Sequence, residues 1–237
     1  MGLLKKIAVI FFFFLSFFGT AQEQIDSLFA GVDSLYREDQ IYLGFSYNIL
    51  VNPPDGISQS GFSGGFHTGF IRDFPVNKRR NIAIGLGLGW SINTYGQNLL
   101  IGEEAVGENT IFRILEDDGP EYDSNRFSIQ AIDVPIQFRW RSSDFDSYKF
   151  WRVYTGIRLG YVYHFKSTFV ESGNRYRQTE VPEFNPFQVG ATFTFGYNTF
   201  NFNFYYSLTP FFNENAMLKG QPIDLTAFHV GLMFYIL

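Results

Sequence analysis

"NIAIGLGLGWSIN", residues 81–93, alternates large apolar side chains with small ones. Its even-numbered positions are Ile82, Ile84, Leu86, Leu88, Trp90 and Ile92, and its odd-numbered positions are Ala83, Gly85, Gly87, Gly89, Ser91 and Asn93. A repeat of two residues is the repeat of a β-strand, whose successive side chains point to opposite faces. The strand is therefore expected to turn a bulky face toward an apolar environment and a nearly empty face toward a crowded interior.

The same alternation recurs in seven further segments: 40–50, 61–73, 128–141, 150–166, 186–198, 200–209 and 224–237. An even number of alternating segments of about ten residues is typical of outer-membrane barrels, and a sheet that spans a bilayer must close on itself. The sequence thus predicts an all-β fold, an eight-stranded antiparallel transmembrane (outer-membrane) β-barrel over residues 40–237. The alternative is a secreted sandwich or lipocalin-like barrel that buries the apolar face within the protein.

The composition of the 237-residue chain favours strands, since aromatic residues make up 20% of it and include 30 Phe. Only 17% of the residues are charged, and the net charge is -5, so we expect no nucleic-acid partner. The absence of cysteine excludes a disulfide framework and a thiolate metal site.

The N-terminus has the layout of a secretory signal peptide. Two lysines precede an apolar run over residues 7–18, and small residues follow up to position 21, where we expect cleavage. Residues 22–39 then form a short periplasmic leader, in which apolar residues including Leu35 and Tyr36 recur at helical spacing. A mobile tail is the alternative. The expected organisation is a signal peptide (1–21), a leader (22–39) and the barrel (40–237).

The connections between the predicted strands alternate in length. Those at 74–80, 142–149 and 198–199 are short, and those at 51–60, 96–127, 167–185 and 210–223 are longer. Outer-membrane barrels keep short turns in the periplasm and long loops outside the cell. We therefore expect a protein of the cell outer membrane with both termini in the periplasm and long extracellular loops. The acidic 96–127 connection is expected to be a solvated surface loop.

Several charged side chains fall on the predicted inward face. A buried arginine is costly without a carboxylate, so we expect a charge network in the lumen formed by Asp73, Asp133, Arg139 and Arg158. The three histidines, His67, His164 and His229, are also predicted to point inward.

Catalytic patterns are scarce in this sequence. It contains no H-E-x-x-H or phosphate-loop motif. His164 with Ser167 near the outer rim is the one candidate pair, and a lone histidine at such a place is more often structural. We expect no catalytic residues, no cofactor and no metal site.

Long stretches of the chain resemble the PorT-like outer-membrane β-barrel family of Bacteroidota. The resemblance covers nearly the whole mature chain, and its most specific part is "GFIRDFPVNKRRNIAIGLGLG". It implies an eight-stranded barrel linked to the type IX secretion system and, in gliding bacteria, to motility. Many members are known only as porin-family proteins, and the family supplies no catalytic residues.

The resulting functional hypothesis is a non-enzymatic barrel that assists protein secretion. Its partners would be outer-membrane lipid and other outer-membrane or periplasmic secretion components. The expected partner-binding residues lie in the turn "RDFPVNKRRN" and in the leader: Asp73, Phe74, Lys78, Arg79, Arg80, Leu35 and Tyr36. The alternatives are a solvated basic turn on a structural or surface-exposed barrel, a narrow pore, and a rim enzyme.

Overall fold

The computed structural model describes residues 39–103, 110–115, 121–142 and 150–236. These residues contain thirteen β-strands and no helix. In chain order the strands are β1 (Gln40–Val51), β2 (Gly64–Pro75), β3 (Ile82–Gly96), β4 (Leu99–Glu103), β5 (Thr110–Ile114), β6 (Ser124–Arg141), β7 (Trp151–Glu171), β8 (Asn174–Gln178), β9 (Phe187–Tyr197), β10 (Phe200–Ser207), β11 (Met217–Leu218), β12 (Gln221–Pro222) and β13 (Thr226–Ile236). The predicted leader and signal peptide lie outside the described residues, apart from Asp39.

Eight of these strands close into an antiparallel barrel. The neighbour order is β6-β3-β2-β1-β13-β10-β9-β7, and pairing between β6 and β7 completes the ring. The first and last barrel strands are neighbours, with Ile41 opposite Ile236 and Val51 opposite Thr226. The prediction of an eight-stranded antiparallel barrel is therefore confirmed.

The connections divide the barrel into two unlike ends. Residues 76–81 and 198–199 connect strands at one end, called here the short-turn end, where β1 also begins and β13 stops. The opposite, long-loop end carries the connections from β1 to β2, β3 to β6, β7 to β9 and β10 to β13, which contain the short strands β4, β5, β8, β11 and β12.

The barrel wall has the two faces that the alternation predicts. In β3, Leu86 and Leu88 are exposed on the outside, whereas Ala83, Ser91 and Asn93 are buried inside. The other barrel strands also place mainly Phe, Ile, Leu, Val and Tyr outward at every second position. A continuous apolar outer surface on a closed barrel is the arrangement that suits a lipid environment.

A β-bulge in β7 changes which face its last residues occupy. Ala131 of β6 pairs with Val162, but the preceding Gln130 pairs with His164, so Tyr163 is an extra residue. Such a bulge shifts the side-chain phase by one position. Phe165 is consequently buried inside, whereas His164 lies on the outer face. The inward prediction is wrong for His164 and holds for His67 and His229, which are both buried.

The long-loop end is closed by a cluster that we call the apolar plug. Inward residues of the barrel wall pack there against residues of the long connections. The wall contributes Leu50, Tyr95, Phe127, Ile129, Ala131, Val162, Phe165 and Ala227, and the connections contribute Ile57, Leu99, Ile101, Phe184, Phe211, Phe212, Ala216, Leu218, Ile223 and Leu225.

Aromatic contacts hold the plug together. The ring of Phe127 stacks on Tyr95 with centroids 4.9 Å apart, and Phe211 meets Phe127 edge-on at 5.3 Å. Phe165 lies 4.6 Å from Phe184. The expectation of a solvated loop over 96–127 is wrong for Leu99 and Ile101, which are buried in the mouth of the barrel. The other long connections also bury apolar residues there.

Candidate functional site: a filled lumen and a basic turn

A buried ion-pair cluster fills the lumen at the short-turn end. The carboxylate of Asp73, on β2, accepts hydrogen bonds from Arg139 and Arg141, on β6. The Arg141 Nη1 to Asp73 Oδ2 distance is 2.6 Å, and all three side chains are fully buried. Arg139 also donates to the Oε1 of Gln40 at 2.7 Å. The barrel thus brings together Asp73 and Arg139, two of the four residues of the expected network, and adds Arg141 and Gln40.

Aromatic side chains complete the surroundings of Arg139. Its guanidinium carbon lies 4.1 Å from the ring centroid of Tyr154 and 5.3 Å from that of Tyr235. The faces of aromatic rings attract cations, and the attraction is stronger away from water. Arg139 therefore combines an ion pair with cation–π contacts across the lumen.

Arg158 occupies the middle of the lumen and has different partners. Its guanidinium carbon lies 3.8 Å from the ring centroid of Tyr205, and its Nη1 lies 3.3 Å from the Nδ1 of His67. Because Arg158 can only donate, His67 accepts at Nδ1, and its Nε2 is free to donate to Ser46 Oγ at 3.0 Å. Among the described residues, no carboxylate lies within ion-pair distance of Arg158.

Asp133 nevertheless shares a cavity with Arg158. The cavity has a volume of about 20 Å³ and is lined on its polar side by Asp133, Arg158, His229 and Ser91. A space of this size holds about one water molecule. The apolar side of the cavity is formed by plug residues, among them Phe211 and Val162. The four residues of the predicted network thus form two groups at different depths in the lumen. Asp73 contacts Arg139 at the short-turn end, and Asp133 lies near Arg158 in the middle.

The turn over residues 76–81 is ordered by its own hydrogen bonds and by the lumen. The amide of Arg80 donates to the carbonyl of Asn77 at 3.0 Å, and the side chain of Asn77 donates to Asn81 at 2.6 Å. Arg80 has a φ of 54°, so its carbonyl can turn toward the barrel. Arg141 Nη2 donates to that carbonyl at 3.2 Å, which ties the turn to the buried ion pair.

The predicted partner-binding residues fall into different environments. Lys78 and Arg79 are exposed at the tip of the turn, and Arg80 is partly exposed. Phe74 is exposed on the outer wall of β2. Asp73 is buried in the lumen and supports the turn through Arg141, so it presents no accessible atom to a partner. Leu35 and Tyr36 lie outside the described residues.

The candidate pair for a rim enzyme lies on opposite faces of β7, because the two residues are three positions apart in the regular stretch after the bulge. His164 lies on the outer face, whereas Ser167 is buried on the inner one. Across the described ranges, no group of three or more His, Asp or Glu residues is arranged to hold a metal ion. The described residues also include no helix long and apolar enough to cross a membrane.

Sequence reasoning did not place Arg141, Gln40, Tyr154 and Tyr235 in the lumen cluster. Arg141 shares the inward phase of Arg139 and lies two residues after it, which is the available sequence signal. Tyr154 and Tyr235 also share the inward phase of their strands. The phase alone does not show which inward residues meet, because contacts across a lumen depend on how the strands are staggered when the barrel closes.

Comparison with known proteins agrees with this architecture. Residues 21–213 match the family model described as outer membrane protein beta-barrel domain. No curated protein matches the chain.

Two similar solved structures are crystal structures of Ail, the attachment invasion locus protein of Yersinia pestis. The first is 13% identical, with a TM-score of 0.36 over 84% of this chain and 97% of that chain. The second, in complex with the heparin analogue sucrose octasulfate, is 12% identical, with a TM-score of 0.33 over 84% of this chain and 99% of that chain. At these values neither similarity carries an argument about function.

Proposed function

This chain belongs to the outer membrane protein beta-barrel domain family, and on that premise we propose that it is a non-conducting, non-enzymatic barrel that assists protein secretion. Its working surface is the exposed basic turn at the short-turn end. The secretion apparatus that we propose is a type IX system, which the resemblance of "GFIRDFPVNKRRNIAIGLGLG" to the PorT-like family supports. In a gliding bacterium the same role extends to motility.

The filled lumen is the observation that carries this proposal. Asp73, Arg139 and Arg141 occupy the short-turn end, and the apolar plug occupies the long-loop end. Eight strands leave an interior just wide enough for side chains. A barrel filled in this way is a poor conduit, so function falls to its exposed surfaces.

The short-turn surface combines charge with apolar area. Lys78 and Arg79 are exposed beside Val76 and Phe74, both of which also expose their side chains. Exposed cations next to apolar area suit an acidic partner that also buries apolar side chains. We propose a periplasmic or outer-membrane secretion component as that partner, with Leu35 and Tyr36 of the leader as a second contact.

The proposal places the short-turn end in the periplasm, following the usual orientation of outer-membrane barrels. The chain contains no cysteine, so single cysteines report this directly. In intact cells, a membrane-impermeant maleimide should label Lys219→Cys, in the long connection before β12, and should leave Lys78→Cys unlabelled until the outer membrane is opened. Labelling of Lys78→Cys in intact cells would place the turn at the cell surface.

A structural or surface-exposed barrel without a secretion role is the second candidate. The ordered, plugged long-loop end favours it, because burial of apolar residues there stabilises a defined outer surface. Deletion of the gene, followed by measurement of secreted cargo in the medium and in the periplasm, separates the two. The secretion role predicts cargo retained in the periplasm, whereas the structural role predicts unchanged secretion.

A further inference from the structure

Arg72 is an arginine on the outer wall of the barrel. It lies on β2 between Phe70 and Phe74, which both expose their rings, and opposite Leu86 of β3. The inward neighbours on either side, Ile71 and Asp73, are buried, so the outward direction of Arg72 is fixed by the pleat.

Arg72 is also an exception on that wall. In the short-turn halves of the described barrel strands, every other outward position is apolar, a tyrosine or a threonine. The other outward-facing charges of β6 and β7, Arg126 and Lys166, lie in the extensions at the long-loop end. An ionisable residue on a membrane-facing surface is costly and commonly functional.

No described residue satisfies this charge. Arg72 makes no hydrogen bond and no ion pair with the described residues, although its side chain is exposed. Asp39 is the nearest carboxylate in register, because it precedes Gln40, the partner of Ile71. Asp39 also forms no ion pair with Arg72. An experiment must still test whether this carboxylate, rather than a ligand from outside the protein, balances the charge of Arg72.

The position suits a headgroup at the edge of the bilayer. Arg72 lies three residues before the end of β2 at Pro75, which is about 10 Å along the strand. Long basic side chains lay their methylene groups along apolar surface and extend the charged group to the interface. Phe70, Phe74 and Leu86 supply that apolar surface.

We propose that Arg72 binds the phosphate of an anionic phospholipid headgroup in the leaflet at the short-turn end. A guanidinium is suited to this role, because its planar donors engage two phosphate oxygens at once. The lipid supplies the counter-charge that the described residues do not supply at this position. This site is independent of the basic turn and of any secretion partner.

The test compares folding equilibria in vesicles of two compositions. The protein is folded into phosphatidylcholine vesicles and into vesicles that also contain phosphatidylglycerol, and urea unfolding is followed by tryptophan fluorescence. Wild-type protein should gain in its folding equilibrium constant from the anionic lipid, and the part due to one arginine at an anionic surface is about fivefold. The gain should be about fivefold smaller in Arg72→Gln, and Arg72→Lys should keep part of that difference.

The matched control is Arg177→Gln, which makes the same charge change in the exposed strand β8. It should keep the gain. Equal loss in Arg177→Gln, or a full gain in Arg72→Gln, overturns the proposal. A loss of gain in Asp39→Asn that is as large as the loss in Arg72→Gln would also overturn the proposal, because Arg72 would then act through Asp39. Inorganic phosphate that reproduces the gain in phosphatidylcholine vesicles would contradict a lipid site.

Discussion

Arg139 donates a hydrogen bond to Asp73 across the inside of the barrel, although the two residues are 66 positions apart and their strands are not neighbours. Strand β3 lies between them and presents Gly85 at the crossing. A Cβ atom at that position would lie 2.7 Å from the Cδ of Arg139. The empty face of the 81–93 stretch thus leaves room for the side chain of Arg139.

Asp73→Ala should destabilise the barrel by about 3–5 kcal/mol, because it leaves two buried arginines without their carboxylate. Equilibrium unfolding in urea, with the protein in vesicles, measures this cost. Asp55→Ala removes an exposed carboxylate in the long connection after β1 and should change stability by less than about 0.5 kcal/mol. Equal costs for the two variants would mean that the Asp73 pair is not a buried, structural interaction.

Leu88→Arg should also be costly, because it places a charge on the lipid-facing surface. Leu88 points outward from the middle of β3, and a charge near the bilayer midplane costs about 2–4 kcal/mol. Ile82→Arg makes the same kind of change at the short-turn end of the strand, where the cost falls to about 0–1 kcal/mol. The vesicle unfolding assay compares them, and a reversed order would contradict the placement of the membrane.

The apolar plug predicts that the long connections carry stability. Phe127 is fully buried among Tyr95, Phe165, Phe211 and Phe212, so Phe127→Ala should cost about 3–5 kcal/mol. Met217→Ala truncates an exposed side chain of the same region and should cost about 0.5 kcal/mol or less. Similar, small costs in both variants would show that the plug is loosely packed.

The faces of the barrel strands were predictable because the pleat enforces a repeat of two over whole strands. The bulge in β7 was not predictable, because two changes cancel each other and leave the apolar alternation of the sequence intact. Tyr163 shifts the phase, and at the same level the lumen becomes apolar. Phe165 therefore continues the apolar alternation while it changes from the outer face to the inner one.

The candidate site was predictable to a smaller extent. Asp73 and Arg139 share the inward phase at one end of the barrel, which brings them together on closure. The partners of Arg158 are Tyr205 and His67, on strands remote in sequence, and they depend on the stagger of the closed barrel. The plug depends in the same way on connections that fold back over the mouth.

The central claim, that this barrel assists secretion through its short-turn surface, is tested most directly with two matched triple variants. Lys78→Ala, Arg79→Ala and Arg80→Ala together remove three cations from the turn, and Arg175→Ala, Arg177→Ala and Lys219→Ala remove three exposed cations from the long-loop end. Each variant is expressed in the deletion strain, its level in the outer membrane is matched, and secreted cargo is measured. The account predicts that the turn variant retains cargo in the periplasm while the long-loop variant secretes normally. Normal secretion by the turn variant, with loss in the long-loop variant, would contradict it and place the function at the cell surface.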